Sequence, residues 1–208
     1  MYNARTVIGR QKRARNPQLR NKSYFSETQI YARRSFADHS NENMLRWCHG
    51  APGLVVLFST ILKRASEFFI SPGLQSRVKS AIGRASDLIY REGFLKKGVG
   101  LCHGVSGSVF ALLAASEVLD GDDKDLQPER FYQAVHLAVL GSHWHGMTRK
   151  GELRRPDAPY SLYEGLSGLC SAFAAILERM TPGGKWRGLG SVFRGMPGYD
   201  DVMTQTQL

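Results

Sequence analysis

Two stretches of the chain place apolar residues at the spacing of one helix face. Over residues 74–92 and again over residues 129–144, apolar positions recur every three or four residues. The apolar stripes contain Val78, Ile82, Ala85, Leu88 and Ile89 in the first stretch and Phe131, Ala134, Val135, Ala138 and Val139 in the second. This pattern predicts helices with one face on a core and the other in solvent, so we interpret both stretches as outer helices.

Three further stretches, residues 54–69, 108–119 and 169–180, are apolar on most helical faces. Such a composition is typical of helices that are buried from both sides, so we interpret these stretches as an inner layer. The alternation of β-branched and polar residues that is typical of strands does not occur along the sequence. The predicted fold class is therefore all-α.

A Gly-x-x-Gly motif precedes each predicted inner helix. The glycine pairs are Gly50 and Gly53, Gly104 and Gly107, and Gly165 and Gly168, and their first members lie 54 and 61 residues apart. This period is typical of a repeated helical hairpin. A missing Cβ allows a turn to approach a ring centre closely and leaves N–H groups facing a cavity. The alternative, which applies most directly to the third pair, is that the glycines serve only close helix packing.

Charge separates the beginning of the chain from the rest. The 208 residues carry a formal net charge of +10, and residues 1–34 hold nine Lys or Arg against one acidic residue. We expect residues 1–34 to form a basic, disordered arm, with an anionic membrane or nucleic acid as alternative contacts, and residues 35–208 to form the folded part. No apolar run reaches the length of a membrane span and no secretion signal leads the chain, so we expect a cytoplasmic protein.

Two of the three repeats place a Cys-His pair directly before the first glycine, at Cys48-His49 and Cys102-His103. Thiolate and imidazole are the ligands that zinc prefers, and an odd count of three cysteines favours metal ligation or free thiols over disulfides. The alternative is that the cysteines pack as small hydrophobic residues and the histidines bond locally. Cys170 is predicted to pack in the core of the last inner helix.

The motifs at residues 47–53 (WCHGAPG), 93–104 (GFLKKGVGLCHG) and 156–168 (PDAPYSLYEGLSG) resemble, in this order, the C-terminal half of eukaryotic LanC-like proteins. The resemblance spans roughly residues 43–180. It implies an (α/α) toroid of seven helical hairpins, of which this chain holds about the last three. It also implies one central zinc ion, held by Cys48, Cys102 and His103.

The resemblance further implies that the chain binds glutathione and adds its thiol to dehydroamino acids in proteins or peptides. Glutathione would be held by five residues: Lys97, Arg154, Arg155, Pro156 and Asp157. For His49 two roles stay open, a proton shuttle in catalysis and a hydrogen bond to a neighbouring loop. Phosphorylated peptides and the plasma membrane are further partners that the resemblance and the arm suggest.

Other readings of the function remain at this point. The chain is either a zinc-dependent thiol transferase or a non-catalytic, zinc-stabilised module that binds glutathione and signals to a partner. Its short length also fits an inactive fragment. Nucleic-acid binding is disfavoured, because the folded part has neither a basic face nor a reader motif. His143 and His145 have the spacing of a metal pair, but their place at the end of an outer helix favours a surface cap.

Overall fold

The computed structural model describes residues 42–64, 70–120, 128–180 and 196–197. After a 3₁₀ turn at Glu42–Leu45 come six α-helices: α1 (Ala51–Lys63), α2 (Pro72–Glu92), α3 (Val105–Leu119), α4 (Glu129–Ser142), α5 (Trp144–Arg149) and α6 (Leu166–Met180). The described residues contain no strand, which confirms the all-α prediction. The basic arm and the proposed boundary at residue 35 lie outside the described residues.

The helix starts differ from the prediction in a consistent way. Each inner helix begins directly after the first glycine of its motif, about one turn earlier than predicted, so the second glycine lies within the first helical turn. The apolar pattern did not reveal this first turn, because it consists largely of small residues, which do not extend an apolar stripe. The second outer helix also ends sooner, at Ser142, and the chain then forms the short helix α5 that the apolar pattern did not separate.

Helix α3 is the centre of the fold. It contacts the outer helices α2 and α4 and lies between the inner helices α1 and α6. Eleven of its fifteen residues are buried. Its apolar core side chains include Val109, Leu112 and Leu113, none of which is more than 1% exposed. The prediction of an inner helix buried from both sides is therefore correct for α3.

The same prediction is wrong for the two flanking inner helices. Leu54 and Leu57 on α1, and Leu177 and Met180 on α6, are between 42% and 60% exposed. Cys170 is also exposed, so the prediction that it packs in the core is wrong. The physical reason is that α6 packs through the face containing Leu169 and Ile176, while Cys170 lies on the opposite side.

Charged side chains join the C-terminal ends of the three inner helices. Glu117 on α3 accepts from Lys63 on α1 at 2.6 Å and pairs with Arg179 on α6 through its other oxygen. Arg179 also donates to the carbonyl oxygen of Leu113 at 2.8 Å. Met196, which is buried, lines a small recess beside these ion pairs. In the described part of the chain, no helix has the length and apolar character needed to cross a bilayer.

Candidate metal centre

The three Gly-x-x-Gly turns share one backbone geometry. A Cβ atom built on any of the six glycines would lie between 2.2 and 2.6 Å from the carbonyl oxygen six residues earlier. The six pairs are Gly50 with Met44, Gly53 with Trp47, Gly104 with Gly98, Gly107 with Leu101, Gly165 with Pro159 and Gly168 with Leu162. No side chain fits at such a distance, so close packing explains all three glycine pairs, including the third.

Backbone hydrogen bonds hold the three turns side by side. The N–H of Trp47 donates to the carbonyl oxygen of Cys102 at 3.2 Å, which connects the first turn to the second. The N–H of Cys102 in turn donates to the carbonyl oxygen of Tyr163 at 2.8 Å, which connects the second turn to the third. Cys102 is thus fixed on both sides by main-chain bonds, and its side chain is set beside the first turn.

This arrangement brings the three predicted zinc ligands together. The sulfur atoms of Cys48 and Cys102 and a ring nitrogen of His103 all lie within 4.8 Å of one another. The Cys102 Sγ to His103 Nε2 distance is 3.7 Å. Zinc bonds of about 2.3 Å to sulfur and 2.0 Å to nitrogen place two ligands of a tetrahedron about 3.6 Å apart. The donor types and the distance from Cys102 Sγ to His103 Nε2 fit zinc, with the fourth position left for another ligand.

Burial and neighbouring charges shift the pKa values of two of the three donor groups. Burial, followed by the hydrogen bond and charge of the neighbouring Cys48, raises the pKa of the Cys102 thiol to about 11. Burial and the nearby cations Arg46 and Lys97 lower the pKa of His103 below its usual value. His103 is therefore neutral at pH 7 and has a lone pair to offer, whereas Cys102 holds a proton that a metal ion would displace.

Arg46 is a neighbour of the site that the motif did not identify. Its charge acts on both Cys102 and His103, and its Nε atom is buried with no hydrogen-bond partner among the described residues. The residue lies two positions before Cys48, outside the WCHGAPG motif. A single arginine in a sequence with 28 basic residues carries no signal of its own. Only the packing of the first turn against the second places it beside the donors.

The other histidines considered as candidate site residues are not part of this trio. His49 is exposed, acts electrostatically on His103, and forms no side-chain hydrogen bond within the described residues. The proposed bond from His49 to a neighbouring loop is therefore not found, and its role as a proton shuttle stays a prediction. His143 and His145 are both exposed, and His143 caps the C-terminus of α4, as expected for surface residues.

A cavity of about 430 Å³ lies beside the second and third turns. Its volume is within the range of small-molecule sites. Three parts of the chain line it: the loop that contains Gly98 and Val99, helix α5, and the loop that leads towards α6. The lining residues are Gly98, Val99, Trp144, His145, Thr148, Arg149, Leu153, Arg154, Arg155, Pro156, Pro159 and Tyr160.

Only some of the five residues predicted to hold glutathione line this cavity. Arg154, Arg155 and Pro156 line it, whereas Lys97 and Asp157 do not. The two loops are nevertheless neighbours, because the N–H of Arg154 donates to the carbonyl oxygen of Lys96 at 2.7 Å. Lys97 precedes the lining residue Gly98 in sequence, and it is close enough to His103 to lower the pKa of that imidazole.

Comparison with known proteins places this site in a family. The family model described as lanthionine synthetase C-like protein matches residues 13–185, which include both Cys-His turns and the cavity. A curated protein of Danio rerio, named "Glutathione S-transferase LANCL1", is 30% identical over 135 residues. That alignment covers 65% of this chain and 29% of the relative, so the chain spans less than a third of that protein's length. The chain belongs to the lanthionine synthetase C-like family, whose fold is an α/α toroid.

Proposed function

We propose that Cys48, Cys102 and His103 bind one zinc ion, and that glutathione binds beside it as the thiol substrate of an addition to dehydroamino acids. The observation that carries the proposal is the convergence of two sulfur atoms and one imidazole nitrogen within 4.8 Å, from turns 54 residues apart in sequence. A bound zinc ion supplies Lewis acidity, which lowers the pKa of a thiol held in its open position.

Cations lie beside the donor trio and along the cavity, where they match an anionic ligand. Arg46 and Lys97 both act on His103 as cations, and Arg154 and Arg155 follow along the cavity. Glutathione carries two carboxylates and one ammonium group, so cations on separate loops match its charge. In this proposal Asp157 accepts from the ammonium group, and Pro156 packs against the peptide backbone of glutathione.

The proposed addition is balanced without any oxidant. A bond forms between the glutathione sulfur and the β-carbon of a dehydroalanine or dehydrobutyrine residue, and the carbon–carbon π bond breaks. The thiol proton leaves the sulfur, and a proton is delivered to the α-carbon. His49, which is exposed beside Cys48, is the side chain proposed to carry that proton.

A second candidate is a non-catalytic, zinc-stabilised module that binds glutathione. One observation favours it: the acid that acts on His103 is Glu164, and its Oε2 already accepts a hydrogen bond from the N–H of Ala158, at 3.4 Å. This carboxylate is engaged in holding its own loop, so it is not positioned as an acid or base for the addition.

The deciding experiment combines the zinc-loaded full chain with glutathione and a dehydroalanine peptide, and follows adduct formation by mass spectrometry against a protein-free reaction. We expect acceleration by the unmodified chain and by Cys170→Ala, which removes an exposed thiol outside the trio, but not by Cys102→Ala. A zinc-loaded chain that binds glutathione without accelerating the addition would support the binding module instead.

A further inference from the structure

Helix α5 provides a wall of the cavity that no motif of the sequence identified. Trp144, His145, Thr148 and Arg149 all line the cavity from this helix. The rings of Trp144 and His145 meet edge to face with centroids 5.5 Å apart, and the Thr148 hydroxyl donates to the carbonyl oxygen of Trp144 at 2.8 Å. The residues of this wall therefore support one another.

Arg149 adds a third guanidinium group to the two that come from the neighbouring loop, Arg154 and Arg155. No acidic residue lines the cavity, and none of these three arginines forms an ion pair with a residue in the described part of the chain. Three guanidinium groups over an apolar lining concentrate a positive potential, which raises the local concentration of anions. The ligand that fits is an anion with more than one charged group.

The cavity is also within reach of the donor trio. Val99 lies three residues before Cys102, and Tyr160 lies three residues before Tyr163, whose carbonyl oxygen binds the N–H of Cys102. Three residues of extended chain span roughly 10 Å, and the tripeptide glutathione has about the same length. A thiol placed at the trio can therefore be joined to a carboxylate in the cavity.

We infer that Arg149 is a specificity-determining residue that binds one of the two carboxylates of glutathione, with Trp144 packing beside it. This inference rests on the proposed function. The two carboxylates lie at opposite ends of glutathione. Arg154 and Arg155 belong to one loop, so the second carboxylate needs a cation from another element. Arg149 is the cation that α5 contributes to the cavity. Arginine suits this role because its planar fork pairs with a carboxylate through two hydrogen bonds. The site consequently distinguishes the whole tripeptide from shorter thiols.

Calorimetry on the zinc-loaded full chain tests the inference with three ligands: glutathione, γ-glutamylcysteine and cysteinylglycine. Each dipeptide lacks one end of glutathione, so only one of them keeps the carboxylate that Arg149 binds. We expect Arg149→Gln to weaken glutathione and that one dipeptide about tenfold, and to leave the other dipeptide within about twofold of its original affinity. Arg149→Lys is expected to recover part of the loss, because charge returns without the fork.

Lys150→Gln is the matched control, because it removes an exposed cation next in sequence that does not line the cavity. Circular dichroism confirms that each variant keeps its helices. An equal loss for both dipeptides, or glutathione affinity that does not change in Arg149→Gln, would overturn the inference. A chain that binds no glutathione before any substitution contradicts the proposed function itself, whereas binding that is indifferent to Arg149 contradicts this inference alone.

Discussion

The backbone N–H of Trp47 donates a hydrogen bond to the carbonyl oxygen of Cys102 at 3.2 Å. This bond joins the residue before the first proposed ligand to the second proposed ligand, 55 positions further along the chain. The metal centre is therefore a property of how two turns pack and not of either turn alone. Changes that separate the turns should lose the metal even when all three ligands are retained.

Gly107→Ala makes such a change without touching a ligand. Its new Cβ would lie 2.2 Å from the carbonyl oxygen of Leu101, directly before Cys102, and 3.2 Å from the Cβ of Trp47 in the first turn. We expect the free energy of unfolding to fall by about 3 kcal/mol, measured by urea denaturation, together with the zinc content.

Gly83→Ala is the control for this substitution. Gly83 lies inside α2, where a Cβ would meet nothing within 4 Å. Alanine is the better helix former, so this variant should gain about 0.5–1 kcal/mol and keep its zinc. Equal stability of the two alanine variants would contradict the close approach at Gly107.

Glu117→Gln tests the ion pairs that join the ends of the three inner helices. Glu117 pairs with both Lys63 and Arg179, and these side chains are between 21% and 42% exposed. Solvent screens such pairs, so the expected loss is only about 1 kcal/mol in the free energy of unfolding, and it should shrink in high salt.

Asp87→Asn is the matched comparison for Glu117→Gln. Among the described residues Asp87 forms one ion pair, with Arg130, and its side chain is 52% exposed. The expected loss is about 0.5 kcal/mol or less. If Asp87→Asn lowers the free energy of unfolding as much as Glu117→Gln does, the ion pairs that join the three inner helices do not stabilise the fold more than a single surface pair.

Zinc affinity should rise with pH. The pKa of the Cys102 thiol is raised to about 11, so this thiol is protonated at neutral pH and must release its proton to bind zinc. The pKa of His103 is lowered, so the imidazole is already neutral and contributes no proton near pH 7. The apparent affinity should therefore increase about tenfold per pH unit for each thiol proton released between pH 6.5 and 8. Competition with a chelator at several pH values measures this slope, and a flat profile would contradict thiolate ligation.

Local patterns in the sequence marked the two outer helices and the two Cys-His turns, whereas the choice of His103 over His49 as a ligand came from the resemblance to LanC-like proteins. Apolar periodicity marked the outer helices, and the repeated Cys-His-Gly order marked Cys48 and Cys102. The sequence did not identify Arg46 and Arg149 as site residues, because the role of an isolated arginine depends on its neighbours in the tertiary structure. The exposure of Cys170 was not predicted for the same reason, since the sequence of an apolar helix does not show which of its faces packs against a neighbouring helix.

The metal content of the purified full chain tests the central claim most directly. Elemental analysis should find one zinc ion per chain in the unmodified protein and in Cys170→Ala, and a large loss in Cys102→Ala. Two results would contradict the account: a folded, unmodified chain that contains no zinc after purification with zinc supplied, or a Cys102→Ala variant that retains as much zinc as the unmodified chain.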